Sequence, residues 1–189
     1  MSVRAFVAVK LGDACKSNAA RVLECLRPEI EGGKWVSADN LHLTLSFLGE
    51  IDPNILAKVA AGLESADVPG PFDLGFRGLG AFPNERKAAV LWAGVTVGAD
   101  SASLLARGVR VSCAKCGIAP DNREWSAHLT LARFRRPVAL AGLEVFAKLR
   151  QTEIGICEVD RYFLMQSHLR PGGPEYEVLR EYHLKGGKS

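Results

Sequence analysis

The tetrapeptide His-Leu-Thr-Leu occurs twice, at 42–45 and at 128–131. Each copy lies in an apolar, branched run that reads as a β-strand, over 41–48 and 125–134. Successive side chains of a strand leave opposite faces, so the leucines of each copy share one face and the histidine and threonine share the other. The leucines can then fill a core. His42 with Thr44, and His128 with Thr130, are presented together, about 6.5 Å apart along each strand. Two of the chain's four histidines thus fall in identical settings, one per half. The pattern predicts one domain over 1–189, built as two intertwined lobes that face a central cleft and contribute one histidine each.

The rest of the chain fits an α+β order. Alternation over 3–9 predicts a strand, followed by a helix capped by Asp13 with Ala19, Val22, Leu23, Leu26 and Ile30 as its apolar face, stopped by Gly32-Gly33. Asp52-Pro53 starts a second helix whose stripe is Ile55, Leu56, Val59 and Leu63. Phe72, Leu74 and Phe76 mark a strand, 80–87 a loop, 88–97 a strongly apolar strand, and Asp100 the cap of a helix running to about Gly117. A loop at Pro120-Asp121-Asn122 precedes the second histidine strand. A helix over 138–151, strands over 153–166 and 176–183, and a loose tail from Gly186 complete the order. No long linker or low-complexity segment divides it.

Composition narrows the function classes. The net charge of +3 is compatible with an anionic substrate but far from that of a polybasic nucleic-acid binder. No segment approaches the roughly 18 apolar residues of a membrane span, and the run at 5–9 is too short for a secretory signal, which predicts a cytoplasmic protein. Five scattered cysteines point to free thiols. Cys113 and Cys116 form a C-x-x-C within an apolar helical pattern, where core packing is favoured over half of a zinc site or a redox pair.

Two imidazoles titrating near pH 6.5 can divide the work of opening a cyclic phosphodiester. One, neutral, takes the proton of the attacking water; the other, protonated, delivers a proton to the departing ribose oxygen. The threonine hydroxyls can hydrogen-bond the non-bridging phosphate oxygens, and an arginine would stabilise the transition-state charge.

The residues also carry a family resemblance. The two H-x-T-x motifs resemble those of the two-histidine phosphoesterases, specifically the bacterial and archaeal RNA 2′,3′-cyclic phosphodiesterases, formerly called 2′-5′ RNA ligases. Arg4-Ala5-Phe6-Val7-Ala8, Trp35-Val36 with 40–50, Gly80-Ala81-Phe82-Pro83-Asn84 with Val90-Leu91-Trp92, 126–133 and 164–176 resemble the family's successive segments, covering nearly the whole chain. The resemblance implies a bilobal fold with antiparallel sheets around the cleft and helices outside. It implies no metal and no cofactor, and hydrolysis of an RNA 2′,3′-cyclic phosphate end, tRNA fragments among the candidates, to a 2′-phosphomonoester by a monomer. His42 would be the proton donor to the leaving 3′ oxygen and His128 the acceptor that activates water. Thr44 and Thr130 would hold the phosphate. Arg133 takes the place of the family's arginine; simple alternation puts it opposite His128, so reaching phosphate requires a bulge, with Arg135 and Arg136 as alternatives. Ala127 stands where many members have proline.

Other readings remain open on sequence. They are reversible 2′-5′ joining of RNA, a small cyclic nucleotide or ADP-ribose cyclic phosphate as substrate, and a non-catalytic RNA-end binder. Core packing is expected for Trp35, Trp92, Trp125 and Phe47, and Ser46 is expected on the His42 face; the resemblance alone implies Tyr176 at the cleft. His168 and His183 have no assigned role.

Overall fold

The computed structural model describes residues 2–119, 124–171 and 173–185; the expected loop at 120–122, Gly172 and the tail from 186 lie outside them. The chain is α+β, with two all-antiparallel sheets. The four-stranded sheet has the order β3 (His42–Ile51), β1 (Val3–Lys10), β8 (Arg161–Arg170), β9 (Gly173–His183). The five-stranded sheet has the order β2 (Gly33–Trp35), β6 (His128–Val138), β5 (Ala88–Val97), β4 (Phe72–Phe82), β7 (Glu153–Val159). One H-x-T-x motif opens the edge strand β3, and the other opens β6 in the second sheet.

β1 shows why the first sheet can lie between two apolar layers. Its five consecutive residues from Ala5 to Val9 are all buried, as expected of a strand covered on both faces. Val7 and Val9 enter the main core, whereas Phe6 and Ala8 join Phe163, Met165 and Tyr176 in a second cluster on the opposite face. Behind the first sheet pack α2 (Pro53–Leu63) and α3 (Ala99–Lys115), α3 against β3. The Tyr162 hydroxyl donates to the Leu63 carbonyl at 2.7 Å, and that of Tyr182 to Ala60 at 2.9 Å, which fastens α2 to β8 and β9. α1 (Asp13–Leu26) packs on β7, and α4 (Glu144–Leu149) on β4, behind the second sheet.

The apolar faces expected of the helices are largely those buried: Ala19, Val22, Leu23 and Leu26 in α1, Val59 and Leu63 in α2. Asp52 caps α2 by accepting from the Asn54 amide at 2.8 Å, and Pro53 follows at the first helical position. Asp13 and Asp100 are not caps; Gly12 and Gly98 hold those positions, and the aspartates lie in the first turn, where a carboxylate still complements the helix dipole. α1 gives way to a 3-10 turn at Pro28 before the glycine pair is reached.

Three boundaries differ more. β6 runs through Arg135, Arg136 and Pro137 to Val138, so only six residues remain for α4. Pro137 lies beyond the stretch paired with β2, which stops at Gly33 opposite Phe134. The run 153–166 is two strands in different sheets, separated at Asp160, whose carboxylate takes Arg161 through two bonds of 2.8 and 2.7 Å. β4 continues through Gly80 to Phe82.

Candidate active site

Each histidine is anchored in the same way. His42 Nδ1 lies 2.6 Å from the Asn40 carbonyl and His128 Nδ1 lies 2.9 Å from the Ser126 carbonyl, in both cases the residue two before. A carbonyl only accepts, so Nδ1 carries the proton and Nε2 is left for chemistry. Asn40 is itself held, its side-chain amide donating to the Pro174 carbonyl at 2.7 Å.

Aromatic rings set the tilt of each imidazole. His42 packs against Phe6 at 4.9 Å between centroids, and edge-on against Tyr176 at 5.3 Å. His128 meets Phe82 edge-on at 5.1 Å, and Phe82 in turn meets Trp92 at 5.2 Å. Trp92 pairs across strands with Thr130 and lies over Gly80, where a Cβ would come within 2.3 Å of the indole. It is therefore part of the cleft floor rather than the core expected for it; its indole N–H is buried without a partner among the described residues. Trp35 and Trp125 do pack against the core. The Trp125 indole donates to the Thr44 carbonyl at 3.0 Å, and the Val36 amide donates to the Leu131 carbonyl at 2.9 Å. The first of these bonds draws the approach to β6 onto β3.

A bulge falls on the last residue of each motif. Val7 faces Ser46 and Ala8 faces Thr44, so Leu45 has no partner of its own in β1. Leu91 faces Ala132 and Trp92 faces Thr130, so Leu131 is likewise the extra residue in β6. An extra residue resets the alternation. Leu45 and Ser46 both point to the α3 side, where Ser46 is hydrogen-bonded to Cys113, not to the cleft expected for it. Phe47 is turned onto the His42 face, 59% exposed, instead of entering the core. In β6 the same reset keeps Leu131 and Ala132 in the core and sends Arg133 onto the His128 face.

Arg133 thereby stands where both imidazoles feel it. Burial lowers the pKa of His42 and of His128 below 6.5; the bonds to Asn40 and Ser126 oppose this, and the Arg133 charge lowers both further. The same charge acts on Tyr176, whose phenol is otherwise raised by burial. His42, His128, Tyr176 and Arg133 thus surround one cleft, with Thr44 and Thr130 on the histidine faces. Arg135 and Arg136 lie exposed further along β6.

His168 pairs with Glu177 at 2.9 Å and His183 with Glu181 at 3.0 Å, on the β8–β9 ribbon. Cys113 is a core residue and the Cys116 thiol points to the Lys58 carbonyl at 3.4 Å. Among the described residues no three His, Cys, Asp or Glu side chains converge as a metal site. No helix among them is long and apolar enough to cross a membrane. Phe47 and Trp92 are the cleft residues that sequence reasoning misplaced, and the Phe82 ring against His128 went unassigned.

The fold is that of the two-histidine phosphoesterase family, and comparison with known proteins agrees. Residues 9–92 match the LigT-like phosphoesterase family. An RNA 2′,3′-cyclic phosphodiesterase of Aquifex aeolicus is 35% identical over 189 residues, spanning 97% of this chain and 98% of its own. Another, of Methanothermobacter thermautotrophicus, is 32% identical over 192 residues, spanning 97% and 100%. The crystal structure of TT0787 of Thermus thermophilus superposes with a TM-score of 0.83 at 30% identity, over 98% of this chain and all of that one. The chain belongs to this family, the LigT-like RNA 2′,3′-cyclic phosphodiesterases.

Proposed function

We propose that the protein hydrolyses RNA 2′,3′-cyclic phosphodiester ends to 2′-phosphomonoesters, without a metal, using His42 and His128 as acid and base. The observation that carries this is the matched pair: two imidazoles, each with Nδ1 tied to a carbonyl and Nε2 free, beside one shared guanidinium.

His128, neutral, takes a proton from water at Nε2 as the water oxygen attacks phosphorus. His42, protonated at Nε2, gives its proton to O3′ as the P–O3′ bond breaks, leaving the phosphate on O2′. The net reaction consumes one water, and the two histidines exchange protonation states until solvent resets them. Their lowered pKa values keep the base neutral at pH 7 and make protonated His42 a stronger donor, though a smaller fraction of it is protonated. Thr44 and Thr130 hydroxyls hold the non-bridging oxygens, and Arg133 balances the charge that grows on them. The whole of 1–189 is one functional unit, because each sheet supplies one histidine and one threonine. The reading extends to a monomer, since one chain supplies all five groups, and to the cytoplasm, where the five free cysteines would stay reduced.

The test is turnover of a short RNA ending in a 2′,3′-cyclic phosphate, in excess EDTA, for the parent, His42→Ala and His128→Ala. A 2′-phosphate product, and a loss of about 10²- to 10⁴-fold in each folded variant, is expected. Turnover that survives both substitutions, or that needs added metal, sinks the reading. A 2′-5′ linkage as main product would make it a ligase.

A further inference from the structure

The first sheet continues past the histidine. β1 is regular against β8, pairing Ala5 with Gln166 and Phe6 with Met165, so Arg4, Phe6 and Ala8 share the cleft face. Arg4 pairs with Glu50 of β3, and just past the last β1–β8 pair, Ala5 with Gln166, Ser167 of β8 pairs with Tyr176. Arg4 and Ser167 line one pocket, and Tyr176 stands beside Ser167 on β9. Tyr176 touches His42 with its ring edge, and its phenol feels the charges of both Arg133 and Arg4.

Arg4 opens into a pocket of about 340 Å³, lined also by Ser2, Glu50, Gln166, Ser167 and Arg170. Two neighbouring side chains are engaged: Arg170 with Glu175 at 3.2 Å, His168 with Glu177 at 2.9 Å. Glu50, the pocket's one carboxylate, accepts from the Ser2 hydroxyl at 3.1 Å. Arg4 is exposed and makes no ion pair with a described residue. Between this pocket and His42, Phe6 pairs with Phe47, ring centroids 6.4 Å apart, and Phe47 presents its ring to solvent.

We propose that Arg4 and this pocket bind the phosphate that joins the terminal nucleoside to the one before it, so that the site selects an RNA end over a cyclic mononucleotide. The inference rests on the reading of His42 and His128 as the cyclic-phosphate site. The strand order lays out the ligand: cyclic phosphate at His42, terminal nucleoside across Phe6 and Phe47, next phosphate at Arg4. Two residue steps along β1 lead from Phe6 to Arg4, about 6.6 Å of rise, and the long arginine side chain spans the remainder. An exposed aromatic ring stacks any base, which suits a nucleoside of no fixed identity. A guanidinium with hydroxyl and amide donors around it is a phosphate ligand, and this one has no carboxylate already in its fork. The overall charge of +3 offers little attraction elsewhere, so a single such cation weighs heavily.

The experiment compares kcat/KM for a dinucleotide ending in the cyclic phosphate with that for the corresponding 2′,3′-cyclic mononucleotide. The parent should prefer the dinucleotide. Arg4→Gln should reduce that preference about tenfold through KM, Arg4→Lys should restore part of it, and a neutral methylphosphonate at the joining position should lower the parent to the level of Arg4→Gln. An unchanged ratio in Arg4→Gln overturns the subsite, as does an equal fall for both substrates. Absence of turnover in the parent would instead strike the catalytic reading. Affinities of the 2′-phosphate products, dinucleotide against mononucleotide, then decide the subsite separately: equal affinities for the parent overturn it.

Discussion

Phe47 and Arg133 occupy the same place in their two strands, each five residues beyond its histidine and each turned onto the histidine's face by a bulge at the motif's second leucine. The device is the same and the cargo differs. In the first sheet it delivers an aromatic ring, and in the second a guanidinium. A regular strand would have sent both side chains away from the cleft, so the bulge decides whether the charge is present at the site at all.

Removing that guanidinium should move both histidines together. Arg133 lowers the pKa of His42 and of His128, so Arg133→Met should raise both. The acid and alkaline limbs of the pH–rate profile should both shift upward, while turnover falls about 10²- to 10³-fold. Imidazole titration by NMR in the free enzyme checks the shifts directly. Movement of one histidine alone would show that the charge is not shared.

Neighbouring residues of β3 should differ sharply in their effect on stability. Leu45 is fully buried, so Leu45→Ala should cost about 2–5 kcal/mol. Phe47 is largely exposed, and Phe47→Ala should change stability by only about 0.5 kcal/mol. Urea unfolding of the two variants measures both. A core-sized loss, about 3–5 kcal/mol, for Phe47→Ala would mean that the strand is not bulged at Leu45.

Gly108 offers a case where helix propensity should mislead. Within a helix, alanine normally improves on glycine by roughly 0.5–1 kcal/mol. At Gly108 in α3, however, a Cβ would come within 2.0 Å of the Asp67 carbonyl oxygen, a backbone atom that cannot simply rotate away. Gly108→Ala should therefore lower the melting temperature, with a cost of about 1–3 kcal/mol. α3 packs behind β3, so the substitution should also loosen the His42 strand. A rise in melting temperature would contradict the close approach.

The leucine alternation was legible in the sequence because a strand's period of two is local, and so were the helix stripes at a period of 3.6. The repeated motif carried the pairing of the lobes. The bulges were not legible, because an unpaired residue is defined by the neighbouring strand's register; Phe47 and Ser46 were therefore placed on each other's faces, whereas the need for a bulge at Arg133 could be foreseen. Val138, Val145 and Leu149 mimic a helical stripe, but the first belongs to β6 through its pairing with Ala88. The break at Asp160 divides one continuous run between two sheets, and no local period announces such a crossing.

That crossing ties the fate of one end of the polypeptide to the other. The strands β8 and β9, translated after both histidine strands, complete the sheet that carries His42. A nonsense codon just after Val159 would leave the gene's entire histidine-threonine machinery intact on paper. The product would keep only a two-strand ribbon, β3 with β1, marginal by itself, to carry the first histidine. In an inherited chain of this kind, loss of function can arise more than a hundred codons away from the imidazole it disables.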